Sequence, residues 1–160
     1  MNFLLRRLIK IGLIAGVAGF LLMQLVPYGR DHANPPVLSE PDWDSSQTRT
    51  LAQSACFDCH SNETVWPWYS QVAPVSWLVQ HDVDEGRQVL NFSTWGNGRG
   101  EEGEEIGEVI WEGEMPPAQF LLTHPEARLT DAEKQQLIRG LTASGLGEGG
   151  ESEGADRDND

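Results

Sequence analysis

A chain of 160 residues has room for one small domain with a short segment on either side. Its net charge of −14 is unevenly placed: all 25 acids follow Arg30, and the first thirty residues carry only Arg6, Arg7, Lys10 and Arg30. That acidity argues against nucleic acid as a partner and suits a basic one, while a total of two cysteines excludes a disulfide framework.

Residues 1–29 read as an N-terminal membrane anchor. Met1–Lys10 is short and basic, and Ile11–Val26 follows without a charge. This stretch makes about 24 Å of helix at 1.5 Å per residue, against the roughly 30 Å of a bilayer core. Extension back through Leu8 and Ile9, with Arg6, Arg7 and Lys10 snorkelling, closes the gap. The basic flank places everything after Pro27 outside the cytoplasm. A cleaved signal peptide is the alternative, but no small-x-small site stands near residues 24–30. The expectation is a single-pass protein of the inner membrane with its domain in the periplasm.

Residues 30–44, with Pro35, Pro36 and Pro41, read as an extended linker. From there the periodicity is helical, and no segment alternates as a strand should. Ser45 or Ser46 caps a first helix running to about Cys59, with Leu51, Ala52 and Ala55 on one face. Trp66–Tyr69 is irregular around Pro67. Pro74 opens a second helix reaching about Leu90, weakened by Gly86. Glu101–Glu112 forms a third, with Ile106, Val109 and Ile110 inward and Gly113 as its C-cap. Thr130-Asp-Ala-Glu133 is a capping box for the last helix. Asn91-Phe-Ser93 matches a glycosylation sequon and reads as chance. The domain spans 45–144, and 145–160 is an acidic tail with nothing to bury, expected to be disordered.

Cys56-Phe-Asp-Cys59-His60 is the C-x-x-C-H pattern of covalent haem attachment. Two thiols about one helical turn apart reach the two vinyl groups of a porphyrin, and the adjacent imidazole then lies under the iron. A thioredoxin-like dithiol would want a βαβ setting, and structural zinc would want four ligands. One covalent haem c is therefore the expected cofactor. For the iron's other face Met115 leads: it follows a helix within Gly113-Glu-Met-Pro-Pro117, where two prolines stiffen the loop. His124 and His81 are the alternatives, with His32 behind them. Trp66, Trp68, Tyr69 and Trp77 are expected to pack on the haem or fill the core. Their polar tips, or Arg87, are expected to meet the propionates. A carbonyl at Pro67 or Pro74 is a guess for the second hydrogen bond of His60.

These residues resemble the bacterial haem-binding domain family of single-haem, membrane-anchored proteins. The likeness runs through Cys56–His60, Ser61-Asn62, Pro67-Trp68-Tyr69-Ser70, Ala73-Pro74, Trp77-Leu78, Gly86-Arg87 and Leu90-Asn91-Phe92-Ser93. It continues through Gly113–Pro117 and His124-Pro125 to Leu129-Thr130. It implies an all-α, cytochrome c-like haem domain in the periplasm and supports Cys56, Cys59, His60 and Met115 as haem residues. The last helix departs from ordinary class I cytochromes c, holding Gly140-Leu141 and no aromatic where such folds often pack one against the first helix.

The function expected is one-electron transfer and not enzyme catalysis, because two filled axial positions leave no open site for substrate. The alternatives are a haem-based sensor, a haem subunit of a larger membrane oxidoreductase and, last, a peroxidase, which would need an open iron face with acid–base groups above it.

Overall fold

The computed structural model describes residues 3–96 and 103–145. Helix α1 spans Phe3–Met23 and buries none of its residues against the protein. It stops short of the expected Val26. Gln24, Leu25 and Val26 close instead onto the carbonyls of Leu21, Leu22 and Met23, one residue tighter than α-helical bonding. There the Gln24 side chain bridges the helix end to the domain, donating from Nε2 to the carbonyls of Phe20 and Ala73 and accepting the Ala73 N–H. The uncharged part of α1, Ile11–Met23, is thus about 20 Å long. No helix among the described residues is long and apolar enough to cross a membrane.

The expected linker 30–44 is instead a strap packed on the domain. Leu38 and Ser39 donate backbone N–H groups to the Ser93 carbonyl at 2.9 and 3.2 Å, and Trp95 N–H returns a bond to Ser39 at 3.1 Å. Asn34 Nδ2 donates to the Thr64 carbonyl. Trp43 lies 5.4 Å from the Phe92 ring, and Glu40 takes a bidentate ion pair from Arg49 at 2.7 and 2.8 Å. The prolines make the segment extended, as read; hydrogen bonds and the aromatic contact keep it from being free.

Among the described residues six further helices follow: α2 (Ser46–Ala55), α3 (Phe57–His60), α4 (Val75–Val89), α5 (Gly103–Glu112), α6 (Ala118–Thr123) and α7 (Asp131–Ala143). Short 3₁₀ turns occupy Trp68–Gln71 and Pro125–Ala127. The only extended pairing among the described residues is a single bridge, Ser39 with Thr94. Ser45 caps α2 by accepting from Thr48 N–H, and the Thr130–Glu133 capping box opens α7 as its sequence dictates. The start expected for the third helix, Glu101-Glu102, and the tail beyond Gly145 lie outside the described residues.

The core gathers Leu51, Ala52, Phe57, Leu90, Phe92, Ile110, Leu137 and Leu141. Phe57, Phe92 and Trp95 form a stacked series, with ring centroids 5.4 and 5.8 Å apart. Helices α2 and α7 cross at Gly140, where a side chain would run into Thr48 and stand 2.8 Å from Asp44 Oδ1. The crossing is thus made by close approach, with no aromatic wedge. In the Asn91–Ser93 turn, Asn91 Oδ1 accepts from Ser93 N–H and its amide donates to Asn62, a structural use of both polar ends.

Candidate haem site

The expected helix through Cys59 is broken at Cys56. Cys56 N–H still bonds Ala52 O, but the backbone there turns to φ −125°, and α3 restarts with His60 N–H on Cys56 O at 2.8 Å. The restart keeps Cys56 and Cys59 one turn apart and half-buried. Burial pushes both thiols up to about 12, so neither is a thiolate at neutral pH.

His60 is fixed by α4. Its Nδ1 lies 2.9 Å from the Gly86 carbonyl and 3.2 Å from that of Leu90, so Nδ1 carries the proton and Nε2 is the free nitrogen. Burial holds the imidazole below its ordinary value, only partly offset by the two carbonyls, so it is neutral and able to ligate. These carbonyls, and not Pro67 or Pro74, are the partners of His60. The α4 backbone comes so close because residue 86 is glycine: a Cβ there would stand 2.5 Å from Cys59 O. Phe92 N–H bonds the His60 carbonyl at 2.8 Å and closes the turn from the other side.

Cys56, Cys59, His60 and Met115 line one cavity of about 750 Å³, within the range of cofactor sites. Its walls are mainly apolar: Ala55 from α2; Leu90 and Phe92; Ile106, Val109 and Ile110 from α5; Phe120 and Leu141. Asp82, Glu85, Gln88 and Gln119 add polar lining. Met115 comes from the loop after α5, where the N–H groups of both Glu114 and Met115 bond the Val109 carbonyl at 2.9 and 3.1 Å. Pro116 and Pro117 line the cavity beside it. The two thiols, the free imidazole nitrogen, the thioether and the apolar walls together match what a covalently held, two-ligand haem demands.

Other expected residues are elsewhere. His81 pairs with Glu85 at 3.3 Å on the exposed side of α4. His124 stacks on Phe120 and faces Asp58 at 3.8 Å. His32 donates from Nε2 to Ser70 O and stacks on Trp66. None of the three lines the cavity. Arg87, expected to meet the propionates, lies outside the cavity lining. Its guanidinium is spent on the carbonyls of Ser61 and Ala33 and the side-chain oxygens of Asn34 and Thr64, tying the strap to the haem motif. Tyr69 donates to Thr123 Oγ1 and Trp68 projects into solvent. The Trp77 indole N–H is buried without a hydrogen-bond partner among the described residues and, like Trp68 and Tyr69, lies outside the cavity lining. Sequence reasoning missed α6 and with it Phe120, although the apolar run Phe120-Leu-Leu122 after two prolines signals a short helix.

An all-helical domain that holds a C-x-x-C-H segment against an apolar cavity is the framework of a haem protein. The family model for the haem-binding domain matches residues 18–143, and the chain belongs to that family. The match takes in the strap as well as the helices. Searches of curated proteins and of solved structures returned no match.

Proposed function

We propose that this chain is a mono-haem c-type cytochrome that carries single electrons at the periplasmic face of the inner membrane. Cys56 and Cys59 would hold one haem as thioethers, and His60 Nε2 and the Met115 thioether would bind its iron. When bound, the haem supplies reversible one-electron exchange between two iron states. The protein's own residues do the rest. The Gly86 and Leu90 carbonyls orient His60, the α5 loop presents Met115, and the apolar walls keep water out. The observation that carries this reading is the commitment of His60 Nδ1, which leaves Nε2 free in a cavity shared with both thiols and Met115. The acidic surface suits a basic redox partner, and α1, with Arg6, Arg7 and Lys10 at the cytoplasmic headgroups, anchors the chain. A pyridine haemochrome spectrum of periplasmically matured protein should show two saturated thioether links, and near-infrared absorption should show sulfur on the ferric iron. Haem lost to acid acetone, or a high-spin ferric spectrum, would overturn it.

One observation favours a second reading, a gas sensor. Met115 and Pro116 also line a smaller cavity of about 180 Å³ with Leu121, Ala127 and Leu129, which gives the thioether a place to swing. Fast binding of carbon monoxide to the ferrous protein would support sensing; slow or absent binding would support the carrier.

A further inference from the structure

The segment after α1 does not lead away from it to a free domain. Three consecutive attachments fix it, and all fall on Ser70–Trp77. Gln24 makes a two-point bond to Ala73, donating from Nε2 to the carbonyl at 2.9 Å and accepting the Ala73 N–H at 3.1 Å, while Arg30 donates to the same Gln24 oxygen. Gly29, at φ +77°, lies directly against the Ser76 carbonyl; a Cβ there would collide with that carbonyl and stand 3.2 Å from Trp77 N. His32 bonds the Ser70 carbonyl through Nε2 and accepts from Gln71 through Nδ1. The outer end of the apolar helix is therefore tied to one face of the domain through the segment that follows it.

That face has a composition unlike the rest of the exported chain. Val65–Gln80 contains no Asp, Glu, Lys or Arg, in a protein of net charge −14. It presents Trp68, 81% exposed, with Val75 and Leu78 from the first turns of α4, and Leu25 and Tyr28 are exposed on the adjoining segment. Trp68 and Leu25 are largely uncovered, and Val75, Leu78 and Tyr28 are about half so. Trp and Tyr beside aliphatic side chains, without charge, at the outer end of an apolar helix are what the bilayer interface selects.

We propose that the domain is seated on the lipid surface through this uncharged face, with Trp68, Val75 and Leu78 in the headgroup region beside Leu25 and Tyr28. The occupant is the outer leaflet itself. The proposal rests on the reading of α1 as a membrane anchor. Its consequence is a single orientation: the Gln24 clamp sets which side of the domain meets lipid and which side is open to a soluble partner.

The test uses the haem-loaded full chain in vesicles of phosphatidylethanolamine and phosphatidylglycerol. In Trp68→Cys the new thiol is the one free for a benzophenone maleimide, because Cys56 and Cys59 are in thioether links. Gln135→Cys, exposed on α7, is the control. Illumination should give lipid adducts at position 68 and none at 135, and adding Gln24→Ala should diminish the adduct at 68. If the chain sediments with the vesicles but position 68 gives no more adduct than 135, the seat is overturned and the anchor stands. An adduct at 68 undiminished by Gln24→Ala overturns the clamp as its cause. A chain that fails to sediment with vesicles overturns the anchor reading and the seat with it.

Discussion

An alanine at position 86 would place a methyl group 2.5 Å from the Cys59 carbonyl oxygen. Helix propensity alone favours Gly→Ala by up to about 1 kcal/mol, while overpacking of a close contact costs about 1–3 kcal/mol. Overpacking wins here, because the opposing atoms are backbone and cannot rotate away. Gly86→Ala should therefore lower stability by about 1–2 kcal/mol in denaturant titrations of the holoprotein, and it should shift the midpoint potential by disturbing the His60 hydrogen bond. A variant as stable as the parent would show that the contact is slack. Met115→Ala addresses the other face of the site. It should turn a low-spin ferric spectrum high-spin and lower the potential by on the order of 100 mV; an unchanged near-infrared spectrum would remove Met115 from the iron. That Cys56, Cys59, His60 and Met115 share one cavity was legible because C-x-x-C-H is contiguous and Met115 is marked by its prolines. The acceptors for His60 were not, since Gly86 and Leu90 lie 26 and 30 residues away. The strap role of Arg87 was not legible either: a cation near a haem motif suggests propionates, whereas its four oxygen partners lie 23 to 54 residues away.

Among the elements, the strap 30–44 makes the clearest energetic claim. The bidentate bond from Arg49 holds the Glu40 carboxyl below the ordinary carboxylate range, helped by the Trp43 indole N–H. A depressed folded-state value means that this stabilisation is complete above the unfolded value of 4.5 and is lost as the pH falls through the folded one. The pair is partly exposed, so its worth at neutral pH is about 0.5–1 kcal/mol. Glu40→Gln should cost that amount at pH 7 and flatten the loss of stability below pH 4.5, measured as denaturant midpoints across the acid range. An unchanged acid slope would show that the strap is not held by this pair. Prolines in sequence announce extended backbone but say nothing of what the backbone lies against, which is why the strap read as a free linker. The capping box of α7 was legible because both of its partners lie within one turn. The α2–α7 crossing was not, because it depends on Gly140 meeting Thr48 across the whole domain.

At the scale of the whole molecule, charge and attachment act together. The acids all follow Arg30, Val65–Gln80 carries none of them, and the clamp at Gln24 ties that uncharged segment to the end of α1. The all-helical class and this asymmetry are visible in composition and periodicity, but the orientation is not, because it is set by one amide meeting a backbone 49 residues away. On the proposed electron-carrier reading, the net charge of −14 predicts steering of a cationic redox partner. The Debye length falls from about 30 Å at 0.01 M salt to about 8 Å at 0.15 M. Over that range, oxidation of the ferrous protein by a cationic redox complex should slow by about tenfold, and an anionic complex of matched driving force should speed up or stay flat. Stopped-flow traces at several salt concentrations separate the two cases. Equal salt dependence with both complexes would mean that the acids serve solubility alone and that the exposed edge of the cavity is electrostatically neutral to its partner.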